Sequence, residues 1–145
     1  MNIAFDMDGT IVNLYQEEQW LERLRHHDKK IYLQAKPLIN LRKFSKNVKK
    51  LQQEGINVGI ISWLSKEDNI SYNLNVYYQK IKWLKQHLPS ITWNFIYIIP
   101  YGKNKSEYIT SSSDILFDDN EEVRKEWKAI AYDQTKIFSI IEELL

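Results

Sequence analysis

The chain has 145 residues, of which 43% are apolar and 27% are charged, and this composition fits a single domain over residues 1–145. A net charge of +1 argues against a large electrostatic surface for nucleic acid. The absence of cysteine excludes disulfides and zinc–thiolate sites, and the three histidines show no metal-ligand spacing. No apolar run approaches the roughly 20 residues of a membrane span, and no secretory segment precedes the first acidic residue. We therefore expect a cytoplasmic protein that does not bind membranes.

Short apolar runs recur along the chain and predict the strands of a parallel sheet. Their residues are apolar at successive positions rather than at alternate ones, which is typical of strands buried on both faces. The five runs are residues 3–5, 56–61, 95–99, 115–117 and, more weakly, 129–132.

Segments with helical spacing separate these runs. Leu41, Phe44 and Val48 begin an apolar stripe with a basic outer face, and Gly55 ends this helix. A second stripe precedes Pro89, with apolar residues at positions 74, 77, 81, 84 and 88. Further helices are expected from Ser106, around Val123 and over residues 137–144.

The alternation of strands and helices predicts an α/β fold, a three-layer α/β/α Rossmann-like domain around a mostly parallel five-stranded sheet. Residues 13–40 do not fit this alternation. They contain an apparent helix over 15–25 and a mixed stretch, and they lie between the first strand and its crossover helix. We interpret them as a small helical cap inserted over the carboxyl edge of the sheet.

Polar side chains follow four of the predicted strands, at the edge where parallel α/β sheets bind ligands. They are Asp6 and Asp8, Ser62, Lys103 and Lys105, and Asp118 and Asp119. Adjacent carboxylates repel each other unless a cation lies among them, and Mg²⁺ prefers oxygen ligands. One carboxylate can attack phosphorus, a second can transfer the proton, and a lysine can hold the phosphate. The pattern therefore indicates phosphoryl transfer.

Each feature also has an ordinary structural explanation. Asp-Gly-Thr favours a turn, and Asp118 with Asp119 can cap the following helix. Ser62 can be a satisfied hydroxyl at a strand end, and lysines after turns commonly lie on the surface. The occurrence of all four residue types in this order, each after a strand, favours the functional interpretation.

The sequence DMDGT at 6–10 resembles the first motif, Asp-x-Asp-Gly-Thr, of the haloacid dehalogenase-like (HAD) phosphohydrolase superfamily. The run IIS ending at Ser62 resembles the second motif, and Lys105 in YGKNKSEYI resembles the third. The run ILFDD ending at Asp119 resembles the acidic fourth motif. The resemblance covers the chain from residue 3 to about residue 133.

This resemblance implies catalytic roles for four residues. Asp6 would be the nucleophile that forms an aspartyl-phosphate, and Asp8 would be the general acid and base. Ser62 and Lys105 would hold phosphate oxygens. Lys103 competes with Lys105 for this role, and we favour Lys105 because a helix is expected to begin directly after it.

The resemblance also implies a Mg²⁺ site and a phosphate-binding loop. Asp118 would be the main metal ligand besides Asp6, with Asp119 supporting it and the backbone carbonyl of Asp8 completing the protein ligands. The residues expected to bind substrate are Gly9, Thr10, Trp63 and Lys103.

Two groups within this superfamily are the most similar. GIISWLSK and DDNEEVRKEW look like the 5'(3')-deoxyribonucleotidase-like group, and the second run also resembles the phosphatase domain of phage polynucleotide kinases, which removes 3'-phosphates. Trp63, Tyr15 and Trp20 are candidates for stacking a base, although both tryptophans could instead pack the insertion and the strand. The near-neutral charge favours a small nucleotide over a polymer.

The expected function is therefore that of a Mg²⁺-dependent phosphatase acting on a small phosphomonoester, favoured to be a (deoxy)nucleotide. A polynucleotide 3'-phosphatase is the alternative with the same chemistry. A phosphate-binding or scaffold module whose chemistry has lapsed is the alternative from another class. Against that last alternative, every chemical position carries a competent residue.

Overall fold

Seven strands form two sheets in the computed structural model, which describes all 145 residues. In chain order they are β1 (Asn2–Phe5), β2 (Val12–Asn13), β3 (Lys36–Pro37), β4 (Asn57–Trp63), β5 (Phe95–Ile99), β6 (Ile115–Phe117) and β7 (Ile130–Tyr132). The central sheet has the order β5-β4-β1-β6-β7 with parallel pairing throughout, whereas β2 and β3 form a small antiparallel pair. The five predicted strands and the α/β fold class are confirmed.

Six α-helices accompany the strands. They are α1 (Trp20–Arg25), α2 (Ile31–Gln34), α3 (Leu41–Gln53), α4 (Ile70–His87), α5 (Glu121–Glu126) and α6 (Ile137–Leu144). The side chains of Asn40, Asn69 and Asn120 cap α3, α4 and α5 by accepting backbone N–H groups of the first turn. Gly55 follows α3 with a φ of +82°, the left-handed conformation that ends a helix. No helix combines the length and the apolar character that crossing a membrane requires.

The prediction of an α-helix beginning at Ser106 is wrong. Lys105–Tyr108 form a single 3₁₀ turn capped by Asn104, and Ile109 already has extended backbone angles. A threonine and three serines follow Ile109, and such residues favour non-helical backbone through their local hydrogen bonds. The connection from β5 to β6 therefore contains no α-helix.

The sheet is covered by helices on both faces, which confirms the three-layer arrangement. One face packs against α3, α4 and α6, and its strand residues are Ile3, Phe5, Val58, Ile60, Ile115 and Phe117. The other face is covered more thinly, and its core consists of Ala4, Ile61, Ile99, Leu116, Val123 and Trp127. On the face with the larger core, which we call the thick side, the Phe5 ring stacks on that of Phe117 at 5.1 Å and meets that of Phe44 edge-on at 4.9 Å.

The buried face of α4 differs from the predicted stripe in its first half. Leu74 and Tyr77 are 56% and 38% exposed, whereas Gln79 and Lys80 are buried beside the apolar Val76. The helix turns these two polar side chains inward because the insertion and the end of β4 offer them hydrogen-bond partners. The second half of the stripe, at positions 84 and 88, is buried as predicted.

Residues between β1 and α3 contain β2, a 3₁₀ turn at Leu14–Gln16, α1, α2 and β3. The left-handed Gln19 separates the 3₁₀ turn from α1, so the expected helix over 15–25 is shorter than predicted. Hydrogen bonds join this segment to α4. The Gln79 side-chain oxygen accepts the backbone N–H groups of Tyr32 and Leu33 at 2.9 and 3.1 Å, and the Trp83 indole donates to the Ala35 carbonyl at 2.7 Å.

Replacing Gln79 by methionine tests how strongly these bonds hold the insertion. We expect Gln79→Met to lower the free energy of unfolding by about 1–3 kcal/mol, because two buried backbone N–H groups lose their acceptor. Urea denaturation measures this change. Gln86→Met, at an exposed position of the same helix, is the control and should leave stability nearly unchanged. Equal effects of the two substitutions would show that the Gln79 bonds contribute little.

Candidate active site

The loop after β1 folds back tightly on itself. The Met7 carbonyl accepts the backbone N–H groups of Thr10, Ile11 and Val12 at 3.0, 3.0 and 2.9 Å. Gly9 has a φ of +81°, and a Cβ atom there would collide with the carboxylate of Asp119. Glycine is therefore required both by the backbone conformation and by the close approach of the loop that follows β6.

Three carboxylates from these two loops converge. Phe5 pairs with Phe117 across β1 and β6, so Asp6 and Asp118 leave the sheet side by side. Oxygens of Asp6, Asp118 and Asp119 all lie within 4.8 Å of one another. The Thr10 hydroxyl lies 3.2 Å from Asp6 Oδ2 and accepts the Asp119 backbone N–H at 3.2 Å, which ties the two loops together.

Lys105 lies inside this cluster and Lys103 lies outside it. The Lys105 ammonium donates to Asp6 Oδ1 at 3.0 Å and to Asp118 Oδ2 at 2.6 Å, and its side chain is buried. Lys103 is exposed and donates to the Tyr108 hydroxyl at 3.0 Å. Of the two lysines between which the sequence left a choice, only Lys105 contacts the carboxylates.

Crowding shifts the proton affinities of the cluster. Burial and the neighbouring Asp6 raise the pKa of Asp118 to about 6 and that of Asp119 to about 8. Burial by itself would lower the pKa of Lys105, but the carboxylates of Asp6 and Asp118 outweigh it and raise that pKa. Burial and nearby negative charge thus favour the neutral form of Asp119, and the nearby negative charge also favours the charged form of Lys105.

The donor atoms of the cluster fit Mg²⁺. All three converging side chains offer oxygen, the donor this ion prefers. With Asp8 included, four carboxylates face the ammonium groups of Lys80 and Lys105, which leaves an excess of two negative charges when all six groups are ionised. A divalent cation would neutralise that excess.

Asp8 is not among the three converging carboxylates, and it is held by a residue that the sequence analysis missed. The ammonium of Lys80, on α4, donates to Asp8 Oδ2 at 2.8 Å, to Ser62 Oγ at 2.8 Å and to the Trp63 carbonyl at 2.6 Å. Burial raises the pKa of Asp8 even though Lys80 opposes this effect. The sequence feature that could have revealed the burial of Lys80 is its spacing, four residues after Val76 and four before Leu84, which are both on the buried face of α4.

A cavity of about 220 Å³ opens over the carboxylates. Two aromatic pairs line it together with five charged residues, which are Asp6, Asp8, Asp118, Asp119 and Lys105. The pairs are Tyr15 with Trp20, edge-on at 4.9 Å, and Trp63 with Tyr101, tilted at 4.9 Å. The remaining predicted site residues do not line the cavity; they are Gly9, Thr10, Ser62 and Lys103.

Comparisons with known proteins support the fold alone. No family model and no curated protein matches the sequence. A chain in the solved structure of a Pnkp1/Rnl/Hen1 complex is similar, with a TM-score of 0.57 and 16% sequence identity. The similarity covers 91% of this protein and 44% of that chain, so the protein spans less than half the length of the chain that it resembles.

Removing one of the crowded carboxylates should stabilise the metal-free protein. The raised pKa of Asp119 means that the folded state binds its proton more tightly than the unfolded chain does. Ionisation of Asp119 therefore lowers the free energy of unfolding as the pH rises from about 4 to above about 8, and the full penalty remains at higher pH. We expect Asp119→Asn to raise the melting temperature in EDTA at about pH 9 and to change it little at about pH 4.

Circular dichroism melts at the two pH values measure this difference. Asp68→Asn, which removes an exposed carboxylate, is the control and should show little change at either pH. A lower melting temperature for Asp119→Asn at about pH 9 would contradict the cost of ionising this buried carboxyl beside Asp6 and Asp118.

Proposed function

We propose that the protein is a Mg²⁺-dependent phosphatase with HAD-type chemistry, which hydrolyses a small phosphomonoester through an aspartyl-phosphate on Asp6. The observation that carries this proposal is the convergence of Asp6, Asp118 and Asp119 at the carboxyl edge of the parallel sheet, with Lys105 bonded to the first two. The resemblance of the DMDGT, IIS, KNKSEYI and ILFDD runs to the four HAD motifs supports it.

The residues that would hold Mg²⁺ are Asp6 and Asp118, with Asp119 beside them and the backbone carbonyl of Asp8 as a further oxygen donor. When bound, the ion neutralises these carboxylates and stabilises charge on the phosphoryl oxygens. Lys105 lies between two of the carboxylates and can turn its ammonium to a phosphoryl oxygen. Phosphoryl transfer needs this kind of positioning and charge neutralisation.

In the proposed reaction Asp6 is the nucleophile and Asp8 is the general acid and base. A carboxylate oxygen of Asp6 bonds to phosphorus as the bond from phosphorus to the leaving oxygen breaks, and Asp8 gives its proton to that oxygen. Asp8 then takes a proton from water, whose oxygen attacks phosphorus and displaces Asp6, releasing inorganic phosphate. The raised pKa of Asp8 favours the protonated form that the first step uses.

The shape of the cavity supports a small substrate with a planar group. Two aromatic pairs, Tyr15 with Trp20 and Trp63 with Tyr101, line the cavity together with the carboxylates, so aromatic surface is available to a substrate. Such side chains stack well on a nucleobase. A deoxynucleoside monophosphate is therefore our first candidate among phosphomonoesters.

A polynucleotide with a 3'-phosphate is the second candidate, and one observation favours it. An open groove of about 590 Å³ continues from the cavity and shares Leu64, Ser65, Lys66 and Tyr101 with it. Its outer part could receive the nucleotides that precede the phosphorylated end. The similarity to a chain of the Pnkp1/Rnl/Hen1 complex is in keeping with this candidate. The acidic Glu67 and Asp68 in the groove, which would repel a phosphate backbone, argue against it.

A phosphate-release assay tests the function and ranks the substrates. We expect the wild type to release phosphate with Mg²⁺ and not with EDTA, and Asp6→Asn to reduce turnover by at least about 10³-fold because it lacks the nucleophile. The panel contains deoxynucleoside 5'- and 3'-monophosphates, 3'-phosphorylated oligonucleotides, sugar phosphates and aryl phosphates.

Glu143→Gln, at an exposed position outside the cavity and the groove, is the control variant and should keep full activity. Activity that survives Asp6→Asn would refute the assignment of the nucleophile. A wild type that is inert on the whole panel would favour the phosphate-binding or scaffold module instead. A preference for oligonucleotides over mononucleotides would select the second candidate.

A further inference from the structure

Lys80 is a lysine that the proposed chemistry does not yet use, and it is 1% exposed. An ammonium group has three N–H donors, and Lys80 makes three hydrogen bonds, to Asp8, Ser62 and the Trp63 carbonyl. No donor is left over for a phosphate oxygen. Its role therefore differs from that of Lys105, whose ammonium lies within the carboxylate cluster.

The surroundings of Lys80 argue against a purely structural role. A buried ammonium is costly, and replacing both members of a buried ion pair such as Lys80–Asp8 by apolar side chains of similar volume is often neutral or stabilising, so stability alone does not explain the pair. The ring of Tyr32, from the insertion, lies 5.0 Å from the ammonium on another side. The fold thus encloses a charge at the end of β4, bonded to a residue that lines the cavity.

Lys80 constrains one oxygen of Asp8 and leaves the other free. Its bond goes to Oδ2, whereas Oδ1 makes no hydrogen bond within the chain. Asp8 lines the cavity and its side chain is 17% exposed. The oxygen available to a substrate is therefore Oδ1, and the direction in which it points is set by the bond on Oδ2.

Lys80 also orients Ser62. The hydroxyl oxygen of Ser62 accepts from Lys80, so its own hydrogen is directed away from the ammonium. Ser62 is fully buried, and Lys80 is its only side-chain hydrogen-bond partner. One ammonium thus fixes the end of β4 and the Asp8 side chain relative to each other.

We propose that Lys80 is a positioning residue for proton transfer, holding Asp8 Oδ2 so that Oδ1 delivers its proton to the leaving oxygen. This inference rests on the proposed phosphatase function. The first step makes and breaks the same bonds as described above. The bond from Asp6 to phosphorus forms, the bond from phosphorus to the leaving oxygen breaks, and that oxygen takes the Asp8 proton. Lys80 itself exchanges no proton and touches no substrate atom.

Leaving-group dependence separates this role from a general loss of structure. 4-Nitrophenolate leaves without a proton, whereas the alkoxide of an alkyl phosphate needs one. We expect Lys80→Met to lower kcat/KM for an alkyl phosphate by about 10²–10⁴-fold, the usual contribution of a general acid, and to lower that for 4-nitrophenyl phosphate by less than about 10-fold. Asp8→Asn should show the same selective loss. Lys82→Met, at an exposed position of α4, should match the wild type on both substrates.

The double variant Lys80→Met/Asp8→Asn shows whether Lys80 acts through Asp8. We expect it to turn over the alkyl phosphate as slowly as Asp8→Asn alone, because no carboxylate remains to be positioned. It also leaves no buried charge unpaired, so it can be assayed even if Lys80→Met alone does not fold.

Three results would overturn the inference. Equal losses on the two substrates in Lys80→Met would show a general structural effect, and a further large loss in the double variant would show a role that does not pass through Asp8. Both would leave the phosphatase proposal standing. A wild type that is inert on 4-nitrophenyl phosphate and on the whole phosphomonoester panel would instead overturn the phosphatase proposal, and the role of Lys80 with it.

Discussion

Parallel pairing of β1 with β6 forces acidic side chains to share one edge of the sheet. Phe5 and Phe117 are partners in that pairing, and the residues that follow them are Asp6 and Asp118. Both are almost fully buried, so water screens their repulsion only weakly. The Lys105 ammonium offsets this repulsion, because it donates hydrogen bonds to both carboxylates. The need for compensating charge at this edge explains much of the surrounding local structure.

Two lysines reach the acidic residues from opposite faces of the sheet. Lys80 comes from α4 on the thick side, where the larger apolar core lies, and Lys105 comes from the 3₁₀ turn on the thin side. Ser62 and Trp63, adjacent in β4, point to opposite faces, so Ser62 meets Lys80 while the Trp63 ring lies 5.5 Å from Lys105. In the proposed reaction, this arrangement gives the nucleophile and the acid different cationic neighbours.

The sequence predicts the sheet well because its strands are continuous apolar runs, a pattern that depends only on burial from both faces. The convergence of residues after β1 and β6 was expected from the same logic, since the carboxyl ends of parallel strands share an edge.

The buried side of α4 was harder to predict. Leu74 and Tyr77 are apolar and exposed, while Lys80 is charged and buried, so hydrophobic periodicity selected the wrong face in that half of the helix. The partners of Lys80, which are distant in sequence, explain why a charge can be buried at this position. The choice between Lys103 and Lys105 likewise depends on the 3₁₀ turn, whose direction the sequence alone does not specify.

A crystal structure with Mn²⁺ and beryllium fluoride would test most directly whether the two acidic loops share a divalent ion. Manganese can stand in for magnesium and is located by its anomalous scattering, and beryllium fluoride imitates a phosphoryl group on a carboxylate. We predict one anomalous peak between the carboxylates of Asp6 and Asp118, with the beryllium bonded to an Asp6 oxygen and a fluorine near the Lys105 ammonium. A manganese ion bound elsewhere, or beryllium absent from Asp6 while the ion is in place, would contradict the proposed phosphoryl-transfer site.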